Sequence, residues 1–237
     1  MKKLYLLPLL AILLLPFVLP SAVADAAEST VRTLTVQGES EFYITPDKAS
    51  VEIGITTTGN TAQQAGDDNA AVMQKIQNAL VAMGLQKDDI KTSSYNFYPT
   101  YDKDNNQLIT GYRAENNIIV TTHDINQIGN IIDTAVKNGA TNVDSVNFAV
   151  NDIKKYKETA LKAAVRDAKN KSKAIAGELG KSVVNVVSVT EGNVYIENYQ
   201  PSNIDMKMLS SRMTAATPIQ ARDLKVSARI NVTFEIN

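Results

Sequence analysis

The chain has 237 residues, with 24 Lys and Arg against 25 Asp and Glu, one His, and neither Cys nor Trp. A formal net charge of −1 provides no field that would gather nucleic acid. The lack of Cys excludes disulfides, thiolate catalysis and Fe–S or Cys-ligated zinc, so stability must come from packing.

Lys2 and Lys3 precede an apolar run from Leu4 to Leu19, and Ala22-Val23-Ala24 has the small-x-small form of a cleavage site. Together these read as a secretory signal peptide over residues 1–24. A retained anchor helix is the alternative. Pro8, Pro16 and Pro20 interrupt the run and count against it. Cleavage would leave residues 25–237 (237 − 24 = 213), no membrane-spanning segment, and a charge of 22 − 25 = −3. That length holds one domain or two small ones.

Residues 31–57 read as two strands with a bend expected at Gly38, joined through Thr45-Pro46-Asp47. In the second, Ala49, Val51, Ile53 and Ile55 alternate with polar neighbours, the period of a strand with one wet face. A helix over 61–83 follows from Val72, Ile76, Ala79, Leu80 and Met83, with Gly84 as its stop. DDIKTSSYNFYPTY and YRAENNIIVTTH are extended runs either side of an Asp- and Asn-rich turn. Asp124 is placed to cap a helix striped by Ile125, Ile128, Ile131, Ile132, Ala135 and Val136, ending at Gly139. TNVDSVNFAV is a strand. A long helix over about 153–179 is capped by Asn151 or Asp152. Its apolar row reads Leu161, Val165, Ala168, Ser172, Ile175 and Leu179, with Gly180 as the stop. A Val-rich strand, a polar segment at 192–217 and LKVSARINVTFEI complete the chain. The order β-β-α-β-β-α-β-α-β-β predicts an α+β fold of antiparallel sheets with helices packed on one face. A weaker division into two halves falls near 100–110.

Four places carry residues of chemical interest. Asp102, Asp104 and Asn106 alternate like the start of a calcium loop. Position 6 would then be Gln107 and position 12 Arg113, where Gly and Glu are required. A hairpin turn is the better reading, with Gly111 allowing a bulge. His123, the sole His, lacks partners at catalytic or zinc spacing. Asp67-Asp68 and Asp88-Asp89 sit near predicted helix ends, where carboxylates cap. No phosphate-binding loop and no nucleophile elbow occurs. Lys154, Lys155, Lys157, Lys162, Arg166, Lys169, Lys171, Lys173 and Lys181 line the long helix and the turn after it. They form a solvated face, or one that meets an anionic surface or another subunit. Met206, Met208 and Met213 in the 192–217 loop suit an adaptable contact; Cu(I) binding is the alternative. No residue is assigned as catalytic, cofactor-binding or metal-binding, and no cofactor is expected.

The stretches VQGESEFYITPDKASVEIGI, DDIKTSSYNFYPTY and GYRAENNIIVTTHDINQIGNIIDTAVKNGATNVDSVNFAV resemble the SIMPL domain family. So do GELGKSVVNVVSVTEG and VSARINVTFEI, so that residues 25–237 read as a SIMPL-like domain. The Pro46-Asp47 and Gly111-Tyr112 pairs match well. The family holds bacterial periplasmic or secreted proteins, among them immunogenic antigens and proteins linked to oxidative-stress defence, and a eukaryotic signalling adaptor. The resemblance implies an α+β fold, an envelope location and self-assembly as a homo-oligomer. It brings no catalytic residue. The expectation is an exported, non-enzymatic protein that acts through protein–protein contacts. A ligand- or metal-binding module using the 192–217 loop is the alternative.

Overall fold

The alternating segments become strands and the striped segments become helices. The computed structural model describes residues 31–198, 217 and 219–237. Its elements are β1 (Thr33–Ile44), β2 (Lys48–Gly59), α1 (Ala62–Ala82), β3 (Ile90–Tyr101) and β4 (Ile109–Thr122). They continue with α2 (Ile128–Lys137), β5 (Asn142–Ala149), α3 (Ile153–Glu178), β6 (Val183–Ile196) and β7 (Leu224–Ile236). This is the α+β order expected from the sequence. The predicted signal peptide and the three loop methionines lie outside the described residues.

The helix ends follow from capping chemistry. Thr61 accepts a hydrogen bond from the Gln64 N–H at the start of α1, and Asp152 accepts from the Lys155 N–H at the start of α3. Asp124 accepts from the Asn126 N–H, but caps a single 3-10 turn, Ile125–Gln127, that leads into α2. Gly84, Gly139 and Gly180 all take positive φ (104°, 112° and 64°) where the chain leaves a helix, a conformation that costs a side-chain-bearing residue.

Strand pairing divides the chain in a way its order does not announce. One sheet has four strands in the order β3-β4-β2-β5, the other three in the order β1-β7-β6, all antiparallel. β1 and β2 are neighbours in sequence yet lie in different sheets. Thr45-Pro46-Asp47 is therefore a passage between sheets rather than a hairpin turn. A second passage joins β5 to α3, and the two are tied at Asp47. Its N–H donates to the Ala149 carbonyl (3.1 Å), and its carboxylate accepts from the Asn151 N–H (2.8 Å). Thr45 donates to Asp223 (2.9 Å), which fixes the approach to β7. Residues 102–108 are the turn of the β3–β4 hairpin within the four-stranded sheet.

Each sheet buries one face under its own helices. Ala49, Val51, Ile53 and Ile55 of β2 pack with Ile76 and Leu80 of α1, Ile128, Ile131 and Ile132 of α2, and Phe148 of β5. Full burial contributes about 1.5–3 kcal/mol for each large side chain. α3 covers the other sheet, on Val226, Ala228, Ile230, Val232 and Phe234. Its buried row is Ala160, Ala164, Ala168, Ser172 and Ala176. The larger residues Ile175 and Leu179, expected on that face, are 41% and 63% exposed. The reason is the closeness of β1. A Cβ built on Gly38 would lie 2.1 Å from the Ala164 carbonyl oxygen and 2.8 Å from the Ala168 Cβ. Only small side chains fit at that separation, so the seam selects alanines and turns the larger residues outward. The strand is unbroken at Gly38, since β1 keeps its register with β7 from Thr33 to Ile44.

Candidate functional surfaces

The Asp-rich turn is built from its own side chains. Asp102 Oδ1 accepts from the Asp104 and Asn105 N–H groups (2.9 and 3.1 Å), and Asn105 Oδ1 accepts from the Gln107 N–H (3.1 Å). The ladder slips between Thr100 and Tyr101, a bulge beside Gly111. The hairpin reading describes this turn. Among the described residues no group of three or more His, Asp and Glu stands together in a form that could hold a metal ion.

His123 lies exposed just past the end of β4, beside the passage between sheets. Its Nδ1 is 3.0 Å from Asn151 Nδ2. An amide nitrogen only donates, so in this arrangement Asn151 is the donor and the ring nitrogen the acceptor. Asp47, Asn151 and His123 thus form a chain of hydrogen bonds that no spacing in the sequence reveals. The acidic pairs stay apart from it. Asp89 caps its turn by accepting from the Gln86 N–H (3.1 Å), while Asp67 accepts from Gln63 on the exposed side of α1 (3.2 Å).

A cleft of about 190 Å³ opens at the same end of the molecule, lined by Val150, Ile153, Lys157, Val194, Ile196 and Leu224 among others. A polar cleft of about 300 Å³ lies between Thr58, Gln64, Thr100 and Tyr112. On β3, Tyr95, Phe97, Tyr98 and Tyr101 are exposed, and Phe97 stacks with Tyr112 at 5.9 Å.

Charged contacts cluster where elements meet. Lys171 and the Glu39 N–H both donate to Asp167 (2.7 and 2.8 Å) and hold its carboxyl below the usual carboxylate range, joining α3 to β1. Across β1 and β7, Lys225 donates to Glu41 (2.7 Å), lowering the Glu41 pKa and raising that of Lys225. On the outer side of α3, Lys155, Lys162, Arg166, Lys169 and Lys173 are exposed, and Lys162 alone of these pairs with an acid, Glu158 (2.5 Å), among the described residues.

The surface that the sequence did not distinguish is β6. Its Val-rich run reads like a strand buried on both faces, yet it forms the outer edge of its sheet. Val184, Val186, Val187 and Val189 are 60%, 44%, 52% and 56% exposed. α3 lies mainly over β1 and β7 and leaves the middle of β6 uncovered.

These features describe an α+β protein of two antiparallel sheets whose prominent surfaces are an apolar edge and a basic helix. The chain belongs to the SIMPL family, described as a protein of unknown function (DUF541), which it matches over residues 34–234. It is 27% identical to the 26 kDa periplasmic immunogenic protein of Brucella melitensis over 213 residues, covering 86% of this chain and 84% of that one. It is 25% identical to the protein YggE of Escherichia coli K12 over 208 residues, covering 86% and 80%. The human interleukin-1 receptor-associated kinase 1-binding protein 1 is 21% identical over 214 residues, covering 89% and 79%. No helix among the described residues is long and apolar enough to cross a membrane.

Proposed function

We propose that this is an exported, non-enzymatic protein of the cell envelope that works through protein–protein contacts, chiefly the association of its own copies through β6. The exposed valines of β6 carry the reading. Residues 182–190 hold no charge, and no Pro guards the edge, although edge strands in monomers are usually protected by charge, Pro or cover. The register slips at Val183/Asn185, Val186/Ser188 and Glu191/Val194. These slips disfavour a long flat ladder and favour packing of the valine side chains. The leader-like residues 1–24 and the word periplasmic in the name of the Brucella relative support the envelope location.

Light scattering of residues 25–237 on a sizing column tests it. A discrete oligomer is expected, reduced to monomer by Val187→Asp with Val189→Asp. A wild-type monomer at micromolar concentration, or an oligomer indifferent to both changes, would sink the assembly. A purified protein that turns over a defined substrate, and loses that activity on one point mutation, would sink the non-enzymatic part. The link to oxidative-stress defence rests on the family resemblance, and an unchanged peroxide survival curve in a deletion strain would remove it. The second reading, a ligand-binding module, draws on the cleft of about 190 Å³ beside Lys157 and Asn198, at the start of the polar segment. Its test is whether Val194→Trp, which fills that cleft, abolishes binding of a small apolar carboxylate such as benzoate.

A further inference from the structure

α3 holds eight basic residues against three acidic, a net +5, in a chain whose formal charge is −1, so the remainder carries −1 − 5 = −6. The asymmetry is concentrated. Lys155, Lys162, Arg166, Lys169 and Lys173 are spaced by seven, four, three and four residues. That spacing places them on one ridge of the helix, opposite the buried alanines, over about 27 Å. The last four are successive neighbours at three and four residues, about 5–6 Å apart, and the one acid between them in sequence, Asp167, is turned aside to Lys171 and the Glu39 N–H of β1. Such rows are unfavourable in an isolated helix. Solvation does not demand a row of one sign either: the exposed side of α1 mixes the amides of Gln63, Gln64, Gln74 and Asn78 with Asp67, Asp68 and Lys75.

We infer that this ridge docks the protein, flat and without insertion, on an anionic phospholipid bilayer. The row runs along the outer side of a helix, and its five cations line neither the cleft of about 190 Å³ nor that of about 300 Å³, which suits an extended charged plane better than a small anion. Four of the five cations are Lys, point charges without the planar fork by which Arg grips one defined carboxylate or phosphate. Glu158, Thr159 and Asn170 lie along the ridge. No large apolar side chain among them would anchor a desolvated protein interface. The attraction is collective, and falls once the Debye length drops well below the ridge-to-surface spacing.

The test is flotation of residues 25–237, which contain every element of the fold, with vesicles of phosphatidylcholine alone or with 30% phosphatidylglycerol added. Binding is expected only to the anionic vesicles, with release as NaCl rises from 0.05 to 0.5 M. Each cation near an anionic surface is worth about fivefold, so Arg166→Gln with Lys169→Gln and Lys173→Gln should weaken binding about a hundredfold. These side chains are exposed, and unchanged circular dichroism would confirm the fold. Lys75→Gln with Lys87→Gln and Lys91→Gln, off the ridge, should leave binding as it was. Equal binding to both vesicles, no binding at 0.05 M salt, or equal losses in the two triple variants would overturn the assignment. Retention on a soluble polyanion such as heparin without vesicle binding would also overturn it, in favour of an acidic polymer.

Discussion

Gly38→Ala tests the close seam between α3 and β1. The added Cβ would lie 2.1 Å from the Ala164 carbonyl oxygen, 2.8 Å from the Ala168 Cβ and 2.9 Å from the Ala168 nitrogen. Two of the three are backbone atoms, so no rotamer change relieves them and the helix must shift by about an ångström or more. Overpacking of this kind costs about 1–3 kcal/mol. The shift also strains two ties across the seam, Ser40 Oγ to the Ala160 carbonyl (2.9 Å) and the Glu39 N–H to Asp167 (2.8 Å). Each is worth about 1 kcal/mol. Against this, replacing a strand Gly restricts the unfolded chain and returns up to about 1 kcal/mol. The net expectation is a loss of about 2–3 kcal/mol. In urea unfolding the midpoint should fall by roughly 1 M with an unchanged slope, and Tm by about 4–12 °C. Adding Ala168→Gly should recover only part, since the nearest contact is a backbone oxygen. A Gly38→Ala protein as stable as the parent would refute the reasoning, and so would full rescue by Ala168→Gly.

Asp167→Asn should destabilise the protein at neutral pH, and the difference from the parent should narrow on acidification. The folded-state pKa of Asp167 is depressed, first by the Lys171 hydrogen bond. Its contribution is therefore fully present above the ordinary carboxylate pKa and is lost as pH falls through the lower folded value. Urea midpoints at pH 7 and at about pH 2.5 measure it, and a gap that stays constant or widens in acid contradicts the assignment. On α2, Asp133 accepts from the Thr217 hydroxyl (2.6 Å) and N–H (3.2 Å), while the Thr217 carbonyl oxygen lies 2.4 Å from where a Gly129 Cβ would sit. Asp133→Ala should cost about 1.5–3 kcal/mol, and Gly129→Val should speed proteolysis after residue 217. Cleavage kinetics unchanged by Gly129→Val would show that this contact does not hold the segment.

The sequence by itself determined the local structure. Alternation in β2, stripes of three and four in α1 and α2, caps at Asp124 and Asp152, and exits at Gly84, Gly139 and Gly180 depend on neighbours a few residues away. Such neighbours are readable in a linear string. The Asp102 turn was legible for the same reason, because its carboxylate is used within three residues. Only the tertiary structure decided which strands share a sheet. β1 pairs with β7 almost two hundred residues later, and no local pattern encodes a partner at that distance. The phase of α3 was also set from outside. Hydrophobicity favours Ile175 and Leu179 for the core, but the approach of β1 at Gly38 admits only a methyl or hydroxymethyl group, so size overrode polarity. β6 shows the same limit in reverse. Its valines look like core in the string, and they are exposed because α3 is not placed to cover them.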